Sequence, residues 1–296
     1  MSSFPDAPRS VQRPWYSPFR LMQRALIYLV AAYLTVCGYL YLTQDEQIYP
    51  AARSASVQRM NEALRAAQAV GLTPWEHPTP GASSFQGFVS AHFIQPTSRG
   101  TIVVFHGNGD WVGDETEYLA AFTGRGFRVY LYEYPGYGAR PGTPHEKSIV
   151  PDGRAVIRSL AREGFGPIYV WGESLGSGVG AAVCADSSLP VHGLVLLTPF
   201  DRLAAVGLYR YPYIPVTLLL RDRYDSMKNL EHFRHPICVV RSNEDEIIPP
   251  PLTLNLFAHL PDPKLMIVQK GVGHDNWPSA PNLGWWDEAL DFIAPK

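Results

Sequence analysis

The chain has 296 residues, 46% hydrophobic and 18% charged, with a formal net charge of -2. That balance belongs to a packed globular protein and excludes disordered and collagen-like classes. A near-neutral charge leaves no electrostatic footprint for nucleic acid, and three scattered cysteines, Cys37, Cys184 and Cys238, are too few for a disulfide framework or a zinc site.

Each cysteine lies in an apolar run and is expected to be a small buried hydrophobe. The first element in chain order is the uncharged run Ala25–Leu42, just short of the ~20 apolar residues that span a bilayer, with Leu21 and Met22 able to extend it. Arg9, Arg13, Arg20 and Arg24 precede it, and Asp45 and Glu46 follow it. The positive-inside rule then predicts a single-pass signal anchor. Its N-terminus is cytoplasmic and the rest of the chain lies on the outer (periplasmic or lumenal) side. Tyr39 and Tyr41 suit the far interface. A cleaved signal peptide competes, but its apolar core of about 7–15 residues is shorter than this run. No A-x-A site follows Leu42, and Ala51-Ala52-Arg53 is a poor substitute. A buried core helix competes less well, because the segment precedes any fold start.

Residues 53–69 carry Val57, Met60, Leu64 and Ala67 at helical spacing and predict an amphipathic helix. The Pro- and Gly-rich stretch Thr73–Ser84 reads as loop. Phe85–Ile94 alternates, as an antiparallel strand pair or one long strand would. Short continuous apolar runs follow at Thr101–Phe105, Arg128–Tyr132, Ile168–Trp171, Leu194–Leu197, Ile237–Val240 and Leu265–Val268. Continuous runs suit strands buried on both faces. Helical patterns separate them at Glu115–Arg125, Pro151–Glu163, Leu175–Asp186, Pro251–His259 and Leu283–Ala294. This alternation predicts an α/β fold with a mostly parallel central sheet flanked by helices. The organisation expected is a tail over 1–24, an anchor over 25–42, a linker with an amphipathic helix over 43–84, and one domain over 85–296.

The stretch Ile168–Gly176 is a strand followed by G-x-S-x-G and a helix rich in small residues. A serine on a strained strand-to-helix turn needs neighbours without bulk two residues either side, here Gly172 and Gly176. Ser174 is the expected nucleophile, exposed where the helix dipole favours developing negative charge. Such a serine needs a base and the base an orienter, in the chain order Ser, acid, His. His274, between Gly273 and Asp275 after the strand Leu265–Val268, is the expected base. After Ile237–Val240 come Glu244, Asp245 and Glu246. Asp245 heads the pattern D-x-x-x-P, in which Pro249 can hold the turn rigid, and is the expected acid. The two glutamates then read as solvated loop charges, and Asp201 is the other candidate position. The oxyanion hole is expected from the backbone N–H of Leu175 and of Asn108, in the loop His106-Gly107-Asn108-Gly109 after Thr101–Phe105. His106 is expected to shape that turn.

Together these motifs resemble the α/β-hydrolase superfamily over roughly residues 85–294. A narrower resemblance is to the membrane-anchored α/β-hydrolase-domain proteins of the bud-emergence type. It rests on Gln47-Ile48-Tyr49-Pro50 after the anchor, Tyr132-Glu133-Tyr134-Pro135-Gly136-Tyr137-Gly138, Thr198-Pro199-Phe200, Tyr211–Val216 and Arg221–Ser226. Relatives often carry His-Gly-Asn-Ala-Gly in the first loop, whereas Gly109-Asp110-Trp111 follow the Asn here. The resemblance implies a Ser-His-Asp hydrolase with a short cap, about 201–235. The cap's apolar run Val216–Leu220 could line an acyl pocket or touch the membrane. Trp111, Tyr137, Tyr211 and Trp277 are further candidates for the pocket wall.

The function expected is a membrane-anchored serine hydrolase that cleaves an acyl ester or thioester through an acyl-enzyme on Ser174. It calls for no metal and no organic cofactor. Its partners are the bilayer and an acyl-bearing small molecule, lipid or acylated protein. The alternatives are a peptidase of the aminopeptidase kind, which would need acidic groups such as Asp222 and Asp225 in the cap, and an inactive hydrolase-fold binding module.

Overall fold

The computed structural model describes residues 18–54, 57–76, 85–90, 99–109, 111–112, 117–138, 140–164, 166–276, 278–280 and 282–296. Arg9, Arg13, Asp110, Trp277 and the loop positions 77–84 lie outside the described residues. The chain divides into two units, Met1–Thr43 and Gln44–Lys296. In the first, helix α1 (Pro18–Ile48) carries the predicted span. At 1.5 Å per residue its 31 residues reach about 46 Å. It is long and apolar enough to cross a membrane, and its last turn belongs to the second unit.

In the second unit, α2 (Val57–Ala69) leads into β1 (Leu72–Glu76) and β2 (Phe85–Ser90). Alternation of strand and helix follows: β3 (Gly100–Phe105), α3 (Glu117–Thr123), β4 (Phe127–Tyr132), α4 (Glu146–Glu163), β5 (Ile168–Glu173), α5 (Leu175–Cys184) and β6 (Val191–Leu197). The cap carries three short helices, α6 (Leu203–Arg210), α7 (Val216–Leu219) and α8 (Ser226–Leu230). The chain ends with β7 (Ile237–Ser242), α9 (Pro250–His259), β8 (Lys264–Gln269) and α10 (Trp285–Ile293).

The described strands form one eight-stranded sheet in the order β1-β2-β4-β3-β5-β6-β7-β8. It is parallel from β4 to β8, and β2 runs antiparallel to both β1 and β4. Successive residues of each central strand point to opposite faces. Phe105, Val170, Leu196 and Val239 enter the cluster under α4, α5 and α9. Their neighbours Val104, Trp171, Leu197 and Val240 enter the cluster under α2, α3 and α10. That two-sided burial is why these strands read as continuous apolar runs. Trp171 stacks on Trp286 at 5.2 Å and meets Phe122 edge-on at 5.1 Å, which ties β5 to α10 and α3. Cys184 and Cys238 are free and buried, and burial pushes both thiols up.

Two expectations need correction. Thr73–Glu76 is strand rather than loop. β1 is the outermost strand, and an edge tolerates Pro74, which cannot donate to a ladder. Helix α4 starts at Glu146, five residues before the Pro151 expected to open it. His145 is the N-cap, and Ser148 Oγ, three residues on, accepts from the His145 N–H at 3.0 Å in a capping box. Within the expected linker over 43–84, β1 and the buried Tyr49 belong to the second unit.

Candidate active site

Strand β5 delivers Ser174 at the carboxyl edge of the sheet. The residue has φ 49° and ψ -115°, a left-handed backbone that a non-glycine residue adopts only under constraint. The constraint is visible in the neighbours. The Ser174 N–H donates to Leu197 O at 3.0 Å, and Ser174 O accepts from Ser177 N at 3.0 Å and from Ser177 Oγ at 2.6 Å. A Cβ at Gly176 would stand 2.0 Å from Phe105 O, and one at Gly172 would stand 2.4 Å from Gly176 O. The spacing of G-x-S-x-G therefore records how closely α5 lies on β3 and β5.

His274 lies in the loop between β8 and α10, and Asp245 in the loop between β7 and α9. Both are buried. His274 Nε2 is 2.9 Å from Ser174 Oγ, and His274 Nδ1 is 2.8 Å from Asp245 Oδ2 and 3.0 Å from Oδ1. A carboxylate can only accept, so Nδ1 carries the proton and Nε2 of the neutral ring accepts from the serine hydroxyl. Asp245 Oδ1 also accepts from Ile248 N at 2.7 Å and Ile247 N at 3.0 Å, which fixes the carboxylate from its own turn. Burial pulls the His274 pKa down. The hydrogen bond and charge of Asp245, joined by Asp275 and Glu173, outweigh it and leave the imidazole above its ordinary value.

Of the acidic candidates, Asp245 is the one on His274. Asp201 is instead held by Arg202 N and Asn255 Nδ2, each at 2.6 Å. Glu246 is exposed, yet it is more than a solvated charge: its Oε2 accepts from the His274 backbone N–H at 3.1 Å. The same carboxylate would stand 2.5 Å from a Cβ at Gly273, so the glycine before the histidine makes room for it.

The loop after β3 lies beside the elbow, since Gly176 packs on the carbonyl oxygens of Phe105 and His106. Leu175 is the first residue of α5 and its N–H has no intrahelical partner. No hydrogen bond among the described residues uses the Asn108 N–H. The wall behind this loop is a buried polar pair. His106 Nε2 meets Glu133 Oε1 at 3.1 Å, and His106 Nδ1 meets Gly107 O at 2.8 Å. The Tyr134 hydroxyl donates to His106 O at 2.7 Å. Glu133 was not singled out from the sequence by its chemistry, although it stands inside the YEYPGYG stretch. Trp111 and Tyr137 are buried, so they pack the wall from within rather than face an open pocket, and Tyr211 is half-buried.

A mostly parallel sheet whose central strand turns through a serine into a helix is the architecture of an α/β hydrolase. The serine aminopeptidase S33 hydrolase family matches residues 96–221. An uncharacterized protein of Mycobacterium tuberculosis is 34% identical over 62% of this chain and 67% of its own. The lysophosphatidylserine lipase ABHD12 of Mus musculus is 25% identical over 52% of this chain, which spans 43% of that enzyme. Protein bem46 of Schizosaccharomyces pombe is 23% identical over 81% of this chain and 82% of its own. Among solved structures, an α-β hydrolase from Vibrio vulnificus shares the fold with a TM-score of 0.63 at 17% identity, covering 83% of this chain and 91% of that one. The Pyrococcus furiosus esterase shares it with a TM-score of 0.59 at 15% identity, covering 75% and 89%. The chain belongs to the α/β-hydrolase superfamily.

Proposed function

We propose that this hydrolase is a membrane-anchored serine esterase or thioesterase, with Ser174 as nucleophile, His274 as general base and acid, and Asp245 as the orienter of the imidazole. The observation that carries the reading is the continuous hydrogen-bonded chain from Ser174 Oγ through both ring nitrogens of His274 to Asp245. Ser174 Oγ attacks the acyl carbonyl as His274 Nε2 takes its proton. The tetrahedral oxyanion is held by the N–H groups of Leu175 and Asn108. Collapse expels the alcohol or thiol, which leaves with the proton from His274, and an acyl-serine remains. Water, deprotonated by the same imidazole, releases the acid and restores Ser174. The reaction needs no metal or organic cofactor. Helix α1 anchors the enzyme with its N-terminus in the cytoplasm and residues 44–296 on the outer side. Lipase and esterase relatives support an acyl-bearing substrate.

The S33 match favours one other reading, an aminopeptidase. That chemistry needs a cap carboxylate for the substrate amine. Asp222 already accepts from Tyr49 Oη at 2.6 Å, and Asp225 from Lys228 N at 3.1 Å at the start of α8, so both are committed. Acyl p-nitrophenyl esters and aminoacyl anilides separate the two activities.

Labelling by a fluorophosphonate probe in native membranes tests the mechanism. Wild type is expected to label and Ser174→Ala to lose the label entirely. A folded wild type that neither labels nor turns over acyl esters would overturn it. A C-terminal reporter active only in the cytoplasm tests the orientation: signal from it would reverse the topology.

A further inference from the structure

The segment Gln44–Ala52 carries no expected catalytic residue, yet it is bound at both ends of the site. On the cap side, Gln44 Oε1 accepts from Arg221 N at 2.8 Å and its Nε2 donates to Leu219 O at 3.2 Å. Tyr49 is 1% exposed. Its hydroxyl donates to Asp222 Oδ2 at 2.6 Å and lies 3.0 Å from the Tyr224 hydroxyl. On the other side the segment grips Asn108. Asn108 Nδ2 donates to Ile48 O at 3.2 Å, and Ala51 N donates to Asn108 O at 3.4 Å, an oxygen that also accepts from Tyr137 Oη at 3.1 Å.

The Asn108 carbonyl lies in the 108–109 peptide and the Asn108 N–H in the 107–108 peptide. Bonds to the side chain and the carbonyl therefore fix the Cα that joins the two planes, while Gly107 O in the second plane meets His106 Nδ1 at 2.8 Å. The backbone N–H of Asn108 is the group assigned to the oxyanion. Its side chain is occupied elsewhere, on Ile48 O. The bonds across this contact link positions 60 residues apart in sequence on one side and 173 on the other.

We propose that Gln44–Ala52 is a positioning strap that, through the Asn108 side chain and carbonyl, sets the direction of the Asn108 N–H and couples it to the seating of the cap. The inference rests on the serine-hydrolase reading above and gives a working role to the stretch in which the apolar helix ends. Asn108 is thus held twice over, by its loop and by a segment that approaches from outside the α/β core. Among the hydrogen bonds of the described residues the strap reaches Asn108 and not Ser174, His274 or Asp245, so its effect on the reaction runs through the Asn108 N–H.

The test uses the full chain in nanodiscs and compares wild type, Asn108→Ala, Tyr49→Phe and the double variant. The readouts are fluorophosphonate labelling rate and ester turnover across pH. Asn108→Ala is expected to lower kcat and the labelling rate by roughly tenfold, a fraction of the loss seen when an oxyanion donor is removed outright. KM and the midpoint of the acid limb should stay in place, because the base is untouched. Tyr49→Phe should lower the same rates by a smaller factor, and the double variant should fall short of the product of the two. Hydrogen exchange gives a readout independent of activity. In Tyr49→Phe, amides 106–109 should exchange faster while those of α5 do not. Wild-type rates in Asn108→Ala, strictly multiplicative losses, or unchanged exchange at 106–109 would each overturn the strap. A wild type that does not label at all would instead remove the reading it rests on, and the strap's catalytic role with it.

Discussion

The two halves of the Ser174–His274–Asp245 arrangement are held by different physics. The serine side is built from backbone packed against backbone: β5, the turn and α5 meet at distances that leave no space for a side chain at Gly172 or Gly176. The histidine and aspartate side is built from side chains in loops. Asp245 is fixed by two N–H groups of its own turn, and His274 by Asp245 and by Glu246 from the neighbouring loop. Steric positioning is inseparable from the fold. Hydrogen-bonded positioning can be removed while the fold stands. Substitutions on the first side should therefore cost stability and activity together, and those on the second should cost activity alone.

The largest effect is expected at Gly176. In Gly176→Ala the new methyl would meet Phe105 O at 2.0 Å, and β3 or α5 must move. We expect a loss of about 3 kcal/mol or more in urea unfolding, since overpacking of backbone has no flexible side chain to yield. A Gly176→Ala protein with wild-type stability would show that the elbow is softer than its packing indicates.

Asp245→Asn is the contrasting case. Its fold should persist, with an unfolding midpoint close to wild type, while kcat falls by about 10⁴-fold, the scale for losing the imidazole's orienter. The pH profile sharpens this. In the proposed mechanism the base must be neutral, so kcat/KM is expected to rise with pH through the His274 pKa, which the Asp245 bond holds above its ordinary value. Without the carboxylate, burial is left as the stronger influence and the residual acid limb should move to lower pH. An acid limb that stays in place in Asp245→Asn would mean that Asp245 does not set the imidazole's charge.

Glu246 tests the same side at lower stakes. Glu246→Ala removes the acceptor on the His274 N–H and should lower kcat by about tenfold through misplacement of the ring. Glu246→Gln keeps an acceptor oxygen and should restore most of it. Equal losses in both variants would assign the effect to charge and not to geometry.

These contrasts also explain what could be seen in the sequence. The central strands were legible because burial on both faces makes them uniformly apolar, and Ser174, Asp245 and His274 stood out because each sits in a local pattern of small or turn-forming residues. The edge strand β1 was hidden by Pro74, which is tolerated only because the edge has no further ladder to feed. The start of α4 was hidden because Pro151 looked like a first-turn residue, while the N-cap is His145, closed by the Ser148 hydroxyl three residues on. Glu133 and Tyr49 stand in the stretches that carry the resemblance and Glu246 beside the expected acid, but nothing local names the partner of any of the three. Each owes its role to a partner that the fold brings from 27, 173 or 28 residues away. Polar pairing between residues distant in sequence has no period and no motif until the sheet has formed.

The smallest effect is expected at Pro249, and it bears on what holds the acid. The D-x-x-x-P spacing suggests a turn stiffened by the proline. In the structure the Asp245 carboxylate is gripped by the N–H groups of Ile247 and Ile248, inside the turn and before the proline. Pro249 has φ -53° and ψ 133°, values that alanine adopts freely, and it precedes α9 with Pro250 still in place to open the helix. Pro249→Ala should therefore cost the added freedom of the unfolded chain, about 0.4–1 kcal/mol in urea unfolding, together with the packing of its buried ring. Its kcat and acid limb should match wild type. A large fall in kcat with a shifted acid limb would show that the proline, and not the pair of N–H donors, aims the carboxylate at His274. The serine side and the acid side would then both depend on backbone rigidity.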